Sequence, residues 1–96
     1  MIPWKSNAKF NEQPENGSSF TAKVTRNPVT IHKYVGLGDS LFLSCHALNL
    51  DMIDLHTTDF NEAAKTARSL IRKALSELNK DFEGFLEDEH DIIERY

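Results

Sequence analysis

The sequence predicts an α+β fold, a two-layer sandwich in which a three- to four-stranded, mostly antiparallel sheet packs on one long C-terminal helix. Two observations lead to this prediction. Residues 20–57 alternate between apolar and polar side chains in short segments, and residues 59–82 repeat apolar side chains every three or four positions. A chain of 96 residues that is 40% hydrophobic has room for one small domain.

Four segments show the two-residue period of a strand. They span residues 20–25, 29–35, 41–48 and 52–57. Asn27 and Pro28 are expected to separate the first two, because proline lacks the amide hydrogen that a strand ladder uses. Gly36 and Gly38 predict a hairpin turn, since glycine adopts positive φ without strain. This turn leads into a strand rather than a helix, so we do not interpret it as a phosphate loop.

The helix is the clearest local pattern in the chain. Its apolar stripe consists of Phe60, Ala63, Ala64, Ala67, Leu70, Ile71, Ala74, Leu75, Leu78 and Phe82. Asp59 and Glu62 have the spacing of a capping box, in which each side chain satisfies a free backbone amide. Gly84 is the predicted stop, because glycine commonly ends helices.

Charge divides the chain unevenly. Residues 1–80 carry ten Lys and Arg against eight Asp and Glu, whereas residues 81–96 carry seven acids against one arginine. The net charge of -4 therefore belongs to a weakly basic body with an acidic end. We assign residues 1–18 to a flexible N-terminal arm, 19–84 to a single α+β domain and 85–96 to an acidic tail. Trp4 interrupts the polar arm, either as an anchor on the body or as an exposed contact.

The location predicted from the sequence is cytoplasmic. No apolar run approaches the ~20 residues of a membrane span. The first residues lack the apolar core of a secretory signal, so we expect no export and no membrane partner. Cys45 is the only cysteine and cannot form an internal disulfide, which fits a reducing compartment.

We expect no enzyme and no metal or cofactor site. Cys45 and His46 are neighbours, but adjacent residues of a strand point to opposite faces, so they cannot form a thiolate–imidazolium pair. His32, His46 and His56 could meet across strands, yet their spacing does not define a zinc site. Surface histidines on a polar sheet face explain all three.

The open face of the sheet is the predicted site for a protein partner. One helix covers one face, and the other face would carry Thr21, Lys23, Thr25, Thr30, His32, Tyr34, Phe42, Ser44 and His46. Tyr34 and Phe42 are its expected contact aromatics. The acidic tail is expected to contribute Glu87, Asp88, Glu89 and Asp91. Packing of the arm over Tyr34 and Phe42 would explain them without a partner.

A basic ridge on the helix supports an alternative. Lys65, Arg68 and Arg72 follow an i, i+3, i+7 spacing and lie on one exposed side, where they could bind the phosphates of a nucleic acid. A solvated face with local ion pairs explains the same residues. The acidic tail disfavours nucleic acid, because it would repel phosphate or compete for the ridge.

About half of the chain resembles the HicB-like antitoxins. The resemblance is carried by residues 29–33 and 41–44, the turn around Asn49 and residues 59–71. Within the last segment, residues 59–63 stand where the family's helix begins, and Ala67 continues the helical pattern. It implies a β-β-β-α core similar to a partial RNase H fold and a small protein that binds and silences another protein. The family's Pro-Asp-Leu-Pro-Gly-Cys turn is replaced by residues 47–51, and its DNA-binding segment by the acidic tail.

The sequence therefore predicts a small non-enzymatic interaction protein of bacterial or phage type, similar to an antitoxin or an inhibitor. The alternative is a nucleic-acid-binding module. A homodimer through the open sheet face or an edge strand is a further hypothesis, because a domain of this size buries only a limited fraction of its surface.

Overall fold

The computed structural model describes residues 4–24, 26–34, 36, 38–88 and 93. Within them the strands are β1 (Lys5–Ser6), β2 (Ser19–Val24), β3 (Asn27–His32), β4 (Phe42–Cys45) and β5 (Leu50–Asp54). A helix, α1 (Phe60–Glu87), follows the sheet. Short 3-10 helices occur at Pro14–Asn16 and His46–Leu48. The predicted α+β class with one long C-terminal helix is confirmed, and the sheet has five strands instead of three or four.

The sheet is an antiparallel meander. Its strands lie in chain order, β1-β2-β3-β4-β5, and each is antiparallel to the next. In the β2–β3 pair, Phe20 lies opposite Ile31 and Ala22 opposite Val29. All four of these side chains are buried, which confirms the alternation expected for these two strands.

The core lies between the inner face of the sheet and the first half of α1. Ile31, Leu41 and Leu43 are fully buried at its centre. The buried helical residues are small, namely Ala63, Ala64 and Ala67. Because an alanine face has little bulk, α1 can approach the sheet closely enough to exclude water from the larger strand residues.

The N-terminus of α1 is fixed by a cap and by an aromatic cluster. The Glu62 amide donates to the Asp59 carboxylate at 3.0 Å, which confirms Asp59 as the cap. Phe60 stacks on Phe20 with a centroid distance of 4.3 Å, and Trp4 meets Phe60 edge-on at 5.6 Å. Trp4 therefore anchors the N-terminal segment to the body.

Strand β1 was not predicted, and side-chain hydrogen bonds hold the chain that follows it. The Asn7 Oδ1 accepts from the backbone amides of Ser18 and Ser19 at 2.8 and 3.0 Å, and its Nδ2 donates to the Ser18 hydroxyl at 2.9 Å. Such bonds leave no hydrophobic period in the sequence. Segment 1–18 therefore contains regular structure, while its flexibility stays a prediction.

Gly17 tests this arrangement. A Cβ at Gly17 would overlap the Ser6 hydroxyl oxygen and lie 2.9 Å from the Asn7 Oδ1 and 3.0 Å from the Ala8 amide nitrogen. Because hydrogen bonds hold these atoms, we expect Gly17→Ala to lower the free energy of unfolding by about 1–3 kcal/mol. Amide exchange in β1 should become faster. Urea denaturation and hydrogen–deuterium exchange would measure both effects.

Gly84→Ala is the matched control for that experiment. Nothing lies within 4 Å of a Cβ at Gly84, and the residue is inside α1, so alanine should raise the free energy of unfolding by roughly 0.5–1 kcal/mol. Equal effects of the two substitutions would contradict the packing described for Gly17.

Several predicted boundaries are wrong. The predicted second strand ends at His32 rather than 35, and the predicted fourth strand ends at Asp54 rather than 57. The predicted third strand ends at Cys45 rather than 48, because the chain turns through His46–Leu48 and Asn49 takes the left-handed conformation with φ of 56°. Asn and Asp side chains tolerate that conformation better than most. The next strand consequently begins at Leu50, before the predicted residue 52. Asn27 and Pro28 do not separate two strands; they are the first two residues of β3. The described pairing of β3 with β4 begins at Thr30, after the proline.

The predicted helix stop at Gly84 is also wrong. The helix passes through Gly84 and ends at Glu87, with Asp88 as the C-cap. A glycine inside a helix costs only about 1 kcal/mol, which its helix-forming neighbours can offset. The first residues assigned to the acidic tail therefore continue α1.

Candidate functional site

The outer face of the sheet brings several predicted contact residues together. Opposite pairing of Thr30 with Ser44 and of His32 with Phe42 places these side chains on the face away from α1. Tyr34 adjoins both rings. Its centroid lies 4.3 Å from that of His32 and 5.3 Å from that of Phe42, with both pairs edge-to-face. The three rings form a continuous row across β3 and β4.

The row presents two accessible rings. Phe42 is buried, with 8% of its surface exposed, whereas His32 and Tyr34 are half-buried. Phe42 contacts the Tyr34 ring edge-to-face. Tyr34 is the larger accessible ring, and its hydroxyl adds a hydrogen-bonding group to an apolar ring.

An open groove runs beside the row. It has a volume of ≈ 410 Å³ and is lined by Thr30, His32, Tyr34 and Ser44, with Lys33 and Asp51 among the charged residues. The groove thus combines hydroxyl groups, an imidazole, an aromatic ring and charges of both signs. This mixture suits the recognition of a polar protein surface with an aromatic contact at its centre.

A hydrogen-bond chain joins β3 to β5 across the groove floor. The His32 Nε2 lies 3.3 Å from the Ser44 hydroxyl, and the Met52 amide donates to the same oxygen at 3.3 Å. The Ser44 oxygen accepts from Met52, and it either accepts from the His32 Nε2 or donates its own hydrogen to it, according to the tautomer of His32. Burial lowers the pKa of His32, and the charge of Asp51 partly opposes this effect.

The Ser44 hydroxyl contacts both His32 and the backbone of Met52. A serine hydroxyl beside a histidine is one part of a nucleophilic site. Here the hydroxyl also accepts a backbone amide, so it acts as a fixed link between strands. Among the residues that the structure describes, no group of three or more His, Cys, Asp or Glu side chains is placed to hold a metal ion.

The lowered pKa of His32 predicts a pH dependence of stability. The folded state disfavours protonation, so the unfolded chain binds more protons below the ordinary pKa of 6.5. The contribution of His32 is therefore present above that value and is lost as the pH falls through the folded pKa. We expect His32→Gln to flatten the unfolding free energy between about pH 5 and 7, measured by urea denaturation.

His56→Gln serves as the control, because His56 is exposed and its ring lies beside Asp54 at 3.7 Å, away from the groove. In His56→Gln the unfolding free energy should still change with pH between about pH 5 and 7 as it does in the parent chain. If the unfolding free energy of His32→Gln changed with pH as much as that of the parent, the pH dependence could not be assigned to His32.

The other predicted site residues lie elsewhere. Lys65, Arg68 and Arg72 are exposed on α1, which packs on the opposite face of the sheet from the groove. Glu87 is the last residue of the helix and Asp88 caps it. Glu89 and Asp91, also predicted as partner contacts, lie outside the described residues. Glu87 and Asp88, the described members of the predicted acidic contacts, belong to the end of α1, whereas Phe42 lies on the outer face of the sheet.

His46 was predicted to lie on a strand of the outer face, but it lies outside the strands. It begins the 3-10 helix after β4, where its exposed side chain borders the groove. The contact between His32 and Ser44 was missed by sequence reasoning. The signal for it is their spacing across an antiparallel pair, where diagonal neighbours share one face.

No helix among the described residues is long and apolar enough to cross a membrane. Comparison of the chain with models of protein families, with curated protein sequences and with solved structures found no match.

Proposed function

We propose that this chain is a small, non-enzymatic cytoplasmic interaction protein that binds a protein partner through the outer face of its sheet. The observation that carries the proposal is the row of His32, Tyr34 and Phe42 beside an open groove. Aromatic residues that are well packed and surrounded by polar contacts are the usual centres of binding energy in protein interfaces.

Part of the groove lies on the packed sheet, which favours binding. Thr30 and His32 on β3 and Ser44 on β4 line it, and these strands also supply the fully buried pair Ile31 and Leu43, which lie opposite each other. Residues on strands held by such a core lose little conformational entropy when a partner binds.

The acidic second half of α1 suggests the charge of the partner. Asp81, Glu83, Glu87 and Asp88 follow one another within about two turns. A cluster of this sign would attract a basic protein over a distance and raise its association rate, with a strong dependence on salt. The resemblance to HicB-like antitoxins adds the hypothesis that the bound partner is inhibited in a bacterial or phage setting.

A nucleic-acid-binding module is the second candidate. It is favoured by the exposure of Lys65, Arg68 and Arg72 along one side of α1. Three cations make a modest phosphate-binding surface. The acids in the second half of the same helix oppose it, because they would repel a nucleic acid that extends along the helix.

Affinity capture separates the two candidates. The tagged full-length chain is used to capture partners from a lysate of its native host, with and without nuclease treatment. We expect one basic protein to be retained after nuclease treatment and to be released at high salt. The triple variant Lys65→Ala, Arg68→Ala, Arg72→Ala should capture it equally well. Recovery of nucleic acid alone, lost in the triple variant, would contradict the proposal.

A further inference from the structure

The apolar stripe of α1 continues beyond the sheet that covers its first half. Within the helix, Leu70 and Ile71 still pack against the core. After them the large apolar side chains are exposed. The exposed fraction is 50% for Leu75, 38% for Leu78, 58% for Phe82, 71% for Phe85 and 73% for Leu86. The described part of the chain measures 60 × 31 × 20 Å, as expected when a 28-residue helix extends past a small sheet.

The spacing of these residues matches a coiled-coil seam. From Ile71 the stripe continues at Leu75, Leu78, Phe82 and Phe85, in steps of four, three, four and three. This alternation gives the 3.5-residue period at which two helices pack side by side. Leu86 adjoins the seam at its exposed end.

The exposed area is sufficient for a pairing of two helices. Five partly exposed leucine and phenylalanine side chains present on the order of 500 Å² of apolar surface per chain. Two such surfaces facing each other would bury on the order of 1,000 Å², which is the lower limit of specific interfaces. A second copy of this chain therefore supplies a surface of the right size and pattern.

A groove beside the seam can accept an aromatic ring. It has a volume of ≈ 320 Å³ and lies between α1 and the turn that links β4 to β5. Leu48, Leu50, Ala74 and Leu78 contribute its apolar lining, and Asp81 is among its acidic residues. Since the groove shares Leu78 with the seam, a helix packed on the seam would place its own side chains at the groove.

The distribution of charge along α1 favours an antiparallel orientation of the two helices. The first half of the helix carries Lys65, Arg68, Arg72 and Lys73 against Glu62, and the second half carries Glu77, Asp81, Glu83 and Glu87 against Lys80. A parallel pair would place the acidic halves side by side, where like charges repel. An antiparallel pair places the acidic end of one copy at the level of the basic residues of the other.

We propose that two copies of this chain associate through the second half of α1 in antiparallel orientation, centred near Lys80. The Phe82 ring of one copy packs at the groove formed by Leu48 and Leu78 of the other. This surface is separate from the groove on the outer face of the sheet, so the inference does not depend on the proposed function.

Sedimentation velocity of the full chain from about 1 to about 200 µM tests the association by mass action. We expect a concentration-dependent dimer, and at least a tenfold rise in its dissociation constant for Phe82→Glu and for Phe85→Glu. Ser76→Glu adds the same charge on an exposed residue outside the seam and should remain dimeric. Circular dichroism should show unchanged helix content, because both phenylalanines are exposed in one copy.

Spin labels test the orientation. Cys45 is buried and is replaced by alanine, and Lys73→Cys or Lys80→Cys supplies the only thiol. Positions 73 and 80 lie seven residues apart on the same side of the helix, away from the seam. In an antiparallel pair centred near Lys80, labels at 80 lie at the same level of the helix axis, whereas labels at 73 are separated by a further ~21 Å along it. Equal distances at both positions would overturn the antiparallel orientation. A monomer at all concentrations, or a dimer that survives both glutamate substitutions, would overturn the association.

Discussion

Leu43→Ala is expected to lower the free energy of unfolding by about 2–5 kcal/mol. Leu43 is fully buried on β4, opposite Ile31 on one side and Ile53 on the other. The loss combines the transfer free energy of the removed carbons with the cavity that the close-packed core cannot fill. Single domains are stable by only about 5–15 kcal/mol, so this one substitution removes a large fraction of the total. Urea denaturation followed by circular dichroism measures it.

Leu86→Ala is the matched control for Leu43→Ala. Leu86 is 73% exposed on α1, and alanine is a good helix former, so the change should stay within about 0.5 kcal/mol. The comparison is made at low protein concentration, where the chain is monomeric. Similar losses for the two leucines would contradict the placement of the core on the inner face of the sheet.

Tyr34→Ala is expected to weaken binding of the captured protein partner by about 30-fold, which corresponds to about 2 kcal/mol. The substitution removes the larger accessible ring of the row and opens the space beside Phe42. Isothermal titration calorimetry with the purified partner measures the change. The fold should persist, because the Tyr34 side chain lies on the outer face, away from the buried core.

Two further variants separate the contributions in this experiment. Tyr34→Phe keeps the ring and removes the hydroxyl, so most of the affinity should remain if ring packing dominates. Arg72→Ala alters the opposite face and should bind as the parent does. Unchanged affinity in Tyr34→Ala, together with a large loss of affinity in Arg72→Ala, would show that the partner binds the helix and not the outer face of the sheet.

The sheet and helix were predictable where hydrophobic periodicity controls the structure. Phe20, Ala22, Val29 and Ile31 alternate in sequence and are buried in the structure. Strand β1 has no such period, because the chain beside it is held by the hydrogen bonds of Asn7. Bonds between polar groups eleven or twelve residues apart leave no local pattern to detect.

Boundaries were predicted less well because their signals are ambiguous. Gly84 can end a helix or continue it, and the outcome depends on small differences in free energy. The left-handed Asn49 ended β4 earlier than alternation alone indicated. In both cases the local residue type permits two structures, and tertiary packing decides between them.

The length of α1 that the sheet covers was also not predictable. Apolar spacing alone predicts that the whole stripe, through Leu75, Leu78 and Phe82, packs on the sheet. A helix of 28 residues is ~42 Å long, whereas five strands at ~4.8 Å spacing are roughly half as wide. The excess length leaves the second half of the stripe exposed.

Part of the candidate site was predictable from the sequence. Tyr34 and Phe42 were expected on the same face, and the strand register brings them together. The link between His32, Ser44 and Met52 depends on a register shift in the β4–β5 pair and on the positive φ of 51° at Met52. Neither feature has a signature in the residue types, because methionine rarely adopts that conformation.

The outer sheet face as the binding surface is tested most directly by an NMR titration of the ¹⁵N-labelled chain with the captured protein. We expect the largest amide shift changes at Thr30, His32, Tyr34 and Ser44, and little change along the helix ridge at Lys65, Arg68 and Arg72. Shift changes confined to the ridge, with the outer face unaffected, would contradict the account.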